Sequence, residues 1–104
     1  MTKSYTDLEQ SKKLAEILPI ESADMCYPLP CEDGDKPLLE QGGFCSTPCW
    51  SLASLLDVYP MIVGRDMDMY CCWQNGKKLH SRHYNNPVDA CYEMIIKLYE
   101  RKIL

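Results

Sequence analysis

Along the chain, apolar and polar residues alternate with two different periods, and the change of period divides the molecule. In 7–18, Leu8, Leu14, Ala15 and Leu18 fall on one side of a 3.6-residue wheel, and Glu9, Lys12, Lys13 and Glu16 on the other. Thr6 and Glu9 form an S/T-x-x-E capping box, Asp7 suits the first turn, and Pro19 stops the helix. A second helix is predicted over 48–59. Thr47 is its N-cap, Pro48 its first residue and Pro60 its stop. Leu52, Leu55, Leu56 and Tyr59 make its apolar stripe. Cys49 and Ala53 lie at the margin and Trp50 points away. The third helix follows Asn86, with Pro87 first and Asp89 in the opening turn. Val88, Cys91, Tyr92, Ile95, Leu98 and Tyr99 form its apolar face.

Between the last two helices the period drops to two. Met67 to Tyr84 reads as a β-hairpin turning at Asn75-Gly76, the dipeptide that most readily takes positive φ. Met67, Met69, Cys71 and Trp73 then share the expected core face, and Asp68, Tyr70, Cys72 and Gln74 the outer one. A two-residue loop sets Trp73 opposite Lys78 and Cys71 opposite His80. A bulged three-residue loop sets Cys71 opposite Leu79 and keeps the core face more apolar. Residues 19–47 are broken by prolines and glycines, with "EDGD" at 32–35 as an acidic exposed turn. Short strands are expected near Met25–Tyr27, Leu38–Leu39 or 61–64, because an isolated hairpin is only marginally stable. The expected fold is α+β: three amphipathic helices packed on a small antiparallel sheet built around one β-hairpin, in a single domain, 1–104.

Composition narrows the function. A net charge of −4 opposes general affinity for nucleic acid. The basic return strand with Lys77, Lys78 and Arg82 reads better as a charged sheet edge than as a phosphate contact. No run of apolar residues is long enough to span a membrane, and the first twenty residues lack the pattern of a secretion signal, so the expected location is cytoplasmic. Seven cysteines in a reducing compartment are expected to be mostly free, packing as small hydrophobes.

Those thiols are also the main source of candidate chemistry. No C-x2-C pair is present, and adjacent Cys71 and Cys72 point to opposite faces, so no metal or cofactor is expected. Cys49 in a first helical turn would sit at the positive end of the dipole, which lowers a thiol pKa. Cys71 meets His80 in one hairpin register. A thiol-dependent enzyme or redox protein using Cys49 or Cys71 with His80 or His83 is therefore the alternative function. Phosphate-binding glycine loops and hydrolase or metalloprotease motifs are missing from the sequence. The leading expectation is a non-enzymatic accessory or interaction protein, monomeric or weakly dimeric. Trp50, Tyr70 and Cys72 are its candidate partner contacts.

Three segments carry a resemblance: "LEQSKKLAEILPIESADM" (8–25), "CWSLASLLDVYP" (49–60) and "NPVDACYEMIIKL" (86–98). Together they resemble small uncharacterised proteins of gut-bacterial genomes and their prophage-like or mobile elements. The resemblance covers about half the chain and consists of helices with their caps. It implies a bacterial or phage cytoplasmic setting and carries over no catalytic residue; the partner expected of the leading function is a host or phage protein.

Overall fold

A computed structural model of the chain describes residues 4–28, 45–59, 61–74 and 79–102. The fold is α+β. Its order is α1 (Leu8–Ala15), a 3-10 turn (Ile20–Ser22), β1 (Met25–Pro28), β2 (Cys45–Cys49), α2 (Leu52–Val58), β3 (Met61–Asp66), β4 (Met69–Gln74) and α3 (Pro87–Glu100). Two two-stranded antiparallel sheets, β1–β2 and β3–β4, replace the single sheet expected. Among the described residues, no helix is long and apolar enough to cross a membrane.

α3 forms as predicted. The Asn86 side chain accepts from the Asp89 amide, Pro87 opens the helix, and Val88, Cys91, Ile95 and Leu98 are buried. Tyr99, assigned to the same apolar face, is instead 47% exposed at the helix end. The core joins this face to Leu14 and Leu18, to Trp50 and Leu55, and to Cys72 of β4. A smaller cluster of Met25, Tyr27 and Cys49 lies under Tyr5 and Leu8.

The other two helices start later than expected. α1 is capped by Asp7, which accepts from the Gln10 amide while Gln10 returns a bond to the Asp7 amide. Thr6 is thereby released to the interior. α2 does not begin at Pro48. Residues 45–49 are drawn into a strand because they pair with Met25–Pro28, matching Met25 with Cys49 and Tyr27 with Thr47. Ser51 becomes the N-cap of α2, and its hydroxyl accepts from the Ser54 amide. Asp24 fixes that cap by accepting from both the amide and the hydroxyl of Ser51. Burial raises the Asp24 pKa, but the Ser51 hydrogen bonds outweigh it and hold the carboxyl below its ordinary value.

A hairpin turn not expected from the sequence precedes Asn75-Gly76. Its two strands are β3 and β4, paired from Met61↔Gln74 to Asp66↔Met69, with Met67 and Asp68 as the turn. Asn75-Gly76 and Leu38–Leu39 lie outside the described residues, as does the acidic 32–35 turn. The return segment touches β4 through bridges at Trp73↔His80 and Tyr70↔Tyr84, so neither expected register forms.

Candidate interaction surface on the β3–β4 hairpin

Strict register makes the two faces of the hairpin readable. Ile62 pairs with Trp73, Gly64 with Cys71 and Asp66 with Met69, so these residues share one face. Met61, Val63, Tyr70 and Cys72 lie on the other. Cys72 belongs to the main core cluster, and Met61 and Val63 pack against that cluster. The face assignment from sequence is therefore inverted. The Met69–Trp73 row is rich in large apolar residues, but α3 covers the opposite row.

What the helices leave outside is apolar. Ile62 is 41% exposed, Met69 is 38% exposed and Met67 at the turn is 88% exposed. Gly64 lies beneath the Trp73 ring, where an added Cβ would fall 2.5 Å from the ring edge. That close approach makes Trp73 a flat cover on the outer face. Met67 has φ of 57°, a left-handed conformation that glycine or asparagine takes at lower cost. The two-residue turn between β3 and β4 imposes that conformation and holds the Met67 side chain at the tip.

Among the described residues, one edge of the hairpin is also unpaired. Tyr70 exchanges both backbone hydrogen bonds with Tyr84, at 2.6 and 2.8 Å, and the Cys72 carbonyl accepts from the Ser81 amide. The N–H and C=O of Tyr70 and Cys72 thus point toward the return segment. Alternation then assigns Met69, Cys71 and Trp73 to the bonds with β3. In β3, Ile62, Gly64 and Asp66 are their partners, so Met61, Val63 and Arg65 direct their backbone groups outward. Among the described residues nothing pairs with that edge. Arg65 is the charged group beside it. Its guanidinium is held at 3.3 Å by exposed Asp68 and sits over the Tyr70 ring.

The partner-contact candidates from sequence are not gathered at this surface. Trp50 is completely buried, and its indole N–H donates to the Ser22 hydroxyl at 2.9 Å. The 3-10 turn before β1 supplies that cover. Cys72 is likewise buried, and Tyr70 is half-buried between Arg65 and the return segment. Ile62 and Met67 were missed. The first falls in a segment read only as a possible strand, and the second was placed on a core face.

The thiols have structural surroundings. Cys49 ends β2 instead of opening a helix, and its thiol donates to the Thr6 carbonyl at 3.3 Å. Burial pushes its pKa up, the reverse of activation. Cys71 donates to the Ser81 carbonyl at 3.3 Å. His80 faces the Ser81 carbonyl through Nδ1, and no histidine reaches either thiol among the described residues. Cys49, Cys71, Cys72 and Cys91 are free, whereas Cys26 is disulfide-bonded, which the expectation of free thiols did not include.

Two clefts are lined by described residues outside β3 and β4. One, of about 370 Å³, is lined by Glu21, Asp24, Ser54 and Asp57, with Asp24 already committed to the Ser51 cap. The other lies beside Arg82, whose guanidinium and amide are both held by Glu93. Burial raises the Glu93 pKa, but the bonds from Arg82 prevail and lower it. Neither cleft assembles a nucleophile with a base.

Family models, curated proteins and solved structures were compared with the chain, and none matches it.

Proposed function

We propose that this chain is a non-enzymatic accessory protein that works by binding an extended segment of another protein along β3. The open backbone edge at Met61, Val63 and Arg65 is the observation that carries the reading. An edge of unpaired N–H and C=O groups recognises a β-strand, and side chains at alternate positions set its specificity. The exposed row of Ile62 and Met69, with Met67 at the tip, calls for apolar residues at alternate positions of the incoming strand. The bacterial or phage setting that the sequence resemblance implies makes a host or phage protein the partner we favour. The cytoplasmic location expected from sequence is in tension with the Cys26 disulfide, a bond that oxidising compartments preserve. The alternative of a thiol-dependent enzyme draws no support from buried Cys49 and Cys71.

Placing a photo-crosslinking residue at Ile62 in the producing cell would capture the partner for mass spectrometry. Arg65→Pro removes an outward N–H that the hairpin does not use, at an edge position where proline is tolerated. Losing even one or two main-chain hydrogen bonds should cut binding about tenfold. Arg65→Ala keeps the backbone and loses only exposed side-chain contacts, to Asp68, the Met67 carbonyl and the Tyr70 ring, so it should bind nearly as the parent does. Adducts that Arg65→Pro leaves untouched would overturn the proposal, as would adducts only to a second copy of this chain. Equal thermal melts for the two variants would show that folding is not the cause.

A further inference from the structure

The described sulfur atoms divide by exposure. Met25 and Met94 are buried, and half-buried Met61 packs against the main core cluster. The described free thiols, Cys49, Cys71, Cys72 and Cys91, are all buried, and Cys26 is already oxidised to a disulfide. A thiol outruns a thioether toward oxidants only as an accessible thiolate, and burial holds Cys49 protonated. Met67 and Met69 differ: both are exposed where β3 turns into β4. Met67 stands furthest out. Its left-handed backbone is braced by its own carbonyl, which accepts from the Arg65 Nε–H at 3.1 Å, and its side chain is almost wholly in solvent.

We propose that Met67 is a peroxide-sensitive modification site, and that its conversion to the sulfoxide weakens the grip of β3 on an incoming strand. The second half rests on the strand-binding reading of β3; the first does not. The thioether sulfur attacks one oxygen of hydrogen peroxide, and an S–O bond forms as the O–O bond breaks. The released hydroxide takes the proton from the new S–OH group and leaves as water. Sulfur loses two electrons and the peroxide gains them. The product is polar, and its oxygen accepts hydrogen bonds. Met67 ends the exposed apolar row of Ile62 and Met69, two residues beyond Arg65 of the unpaired edge. A strand with apolar residues along this row takes the sulfoxide oxygen away from water without supplying a donor, which opposes binding. The fold is spared, since Met67 belongs to neither core cluster.

Intact protein, its Cys26 disulfide in place, is treated with hydrogen peroxide for a series of times, and each methionine is read by peptide mass spectrometry. Met67 should oxidise at least about tenfold faster than Met25 and Met94, with Met69 between. Protein oxidised at Met67 should melt at the same temperature as untreated protein. In the producing cell, with the photo-crosslinking residue at Ile62, Met67→Gln supplies a polar side chain of similar length and should cut the partner adduct about fivefold. Met67→Leu keeps an apolar tip without an oxidisable sulfur. It should retain the adduct, even after a peroxide pulse that depletes the adduct of the wild type. Oxidation of Met67 no faster than that of Met25 or Met94 would overturn the proposal. Equal adduct yields for Met67→Gln and Met67→Leu would do so as well, as would equal losses from wild type and Met67→Leu after the pulse. Failure of the strand-binding reading has a different signature, adducts indifferent to Arg65→Pro with the order of oxidation unchanged, and it would remove the effect on binding.

Discussion

Trp50→Ala should destabilise the fold by about 3–5 kcal/mol, the range for removing a buried aromatic side chain. Trp50 has no exposed surface and belongs to the main core cluster together with Leu14, Leu55 and residues of α3. Its loss opens a cavity where these elements converge and leaves the Ser22 hydroxyl without the indole donor. Trp50→Phe should cost less, since a ring remains and only the hydrogen bond and part of the volume are lost. Urea denaturation followed by circular dichroism reads both. A change below about 1 kcal/mol for Trp50→Ala would place this side chain at the surface, as a partner contact would be.

The second large effect is expected at Thr6, which joins the N-terminal segment to the start of α2. Its amide donates to the Trp50 carbonyl at 2.9 Å, and its hydroxyl accepts from the Trp50 amide at 3.2 Å. The same hydroxyl lies 2.7 Å from that of Ser11, and the Thr6 carbonyl accepts from Tyr27 at 2.7 Å and from Cys49. Thr6→Val keeps the shape but strands the Trp50 amide and the Ser11 hydroxyl in a dry interior. Each unsatisfied group costs about 1–3 kcal/mol, so a loss of about 2–4 kcal/mol is expected. Thr6→Ser retains the hydroxyl and should lose only about 1 kcal/mol for the missing methyl. Equal losses in the two variants, measured by the same denaturation, would mean that the hydroxyl network contributes nothing.

Thr6 also shows where reading the sequence stops. It has every local attribute of an N-cap, yet Asp7 caps α1 because Thr6 is needed by Trp50, far along the chain. Thr47-Pro48 likewise matches a helix start, but pairing with β1 takes those residues into a strand and leaves the cap to Ser51. Local chemistry was sufficient at Asn86-Pro87, where no distant segment competes for the cap. The β3–β4 hairpin was hidden for a different reason. Met67-Asp68 offers only Asp68 as a turn former, and Asn75-Gly76 is a stronger signal placed eight residues later. Without the Met67-Asp68 turn, the alternation of Met69–Trp73 is assigned to the wrong side, and Cys72 goes from core to surface. The interaction surface was therefore legible only as a class of function. Its residues depend on register, which composition and periodicity do not encode.

An open β3 edge leaves a signature in the free protein that amide hydrogen exchange resolved by residue reads. The amides of Ile62 and Gly64 are turned toward β4, whereas those of Val63 and Arg65 are turned outward. Along β3, slow and fast exchange should alternate, with Val63 and Arg65 at least about tenfold faster than Ile62 and Gly64. Uniform protection of all four amides would mean that the edge is already occupied and that β3 cannot take an incoming strand.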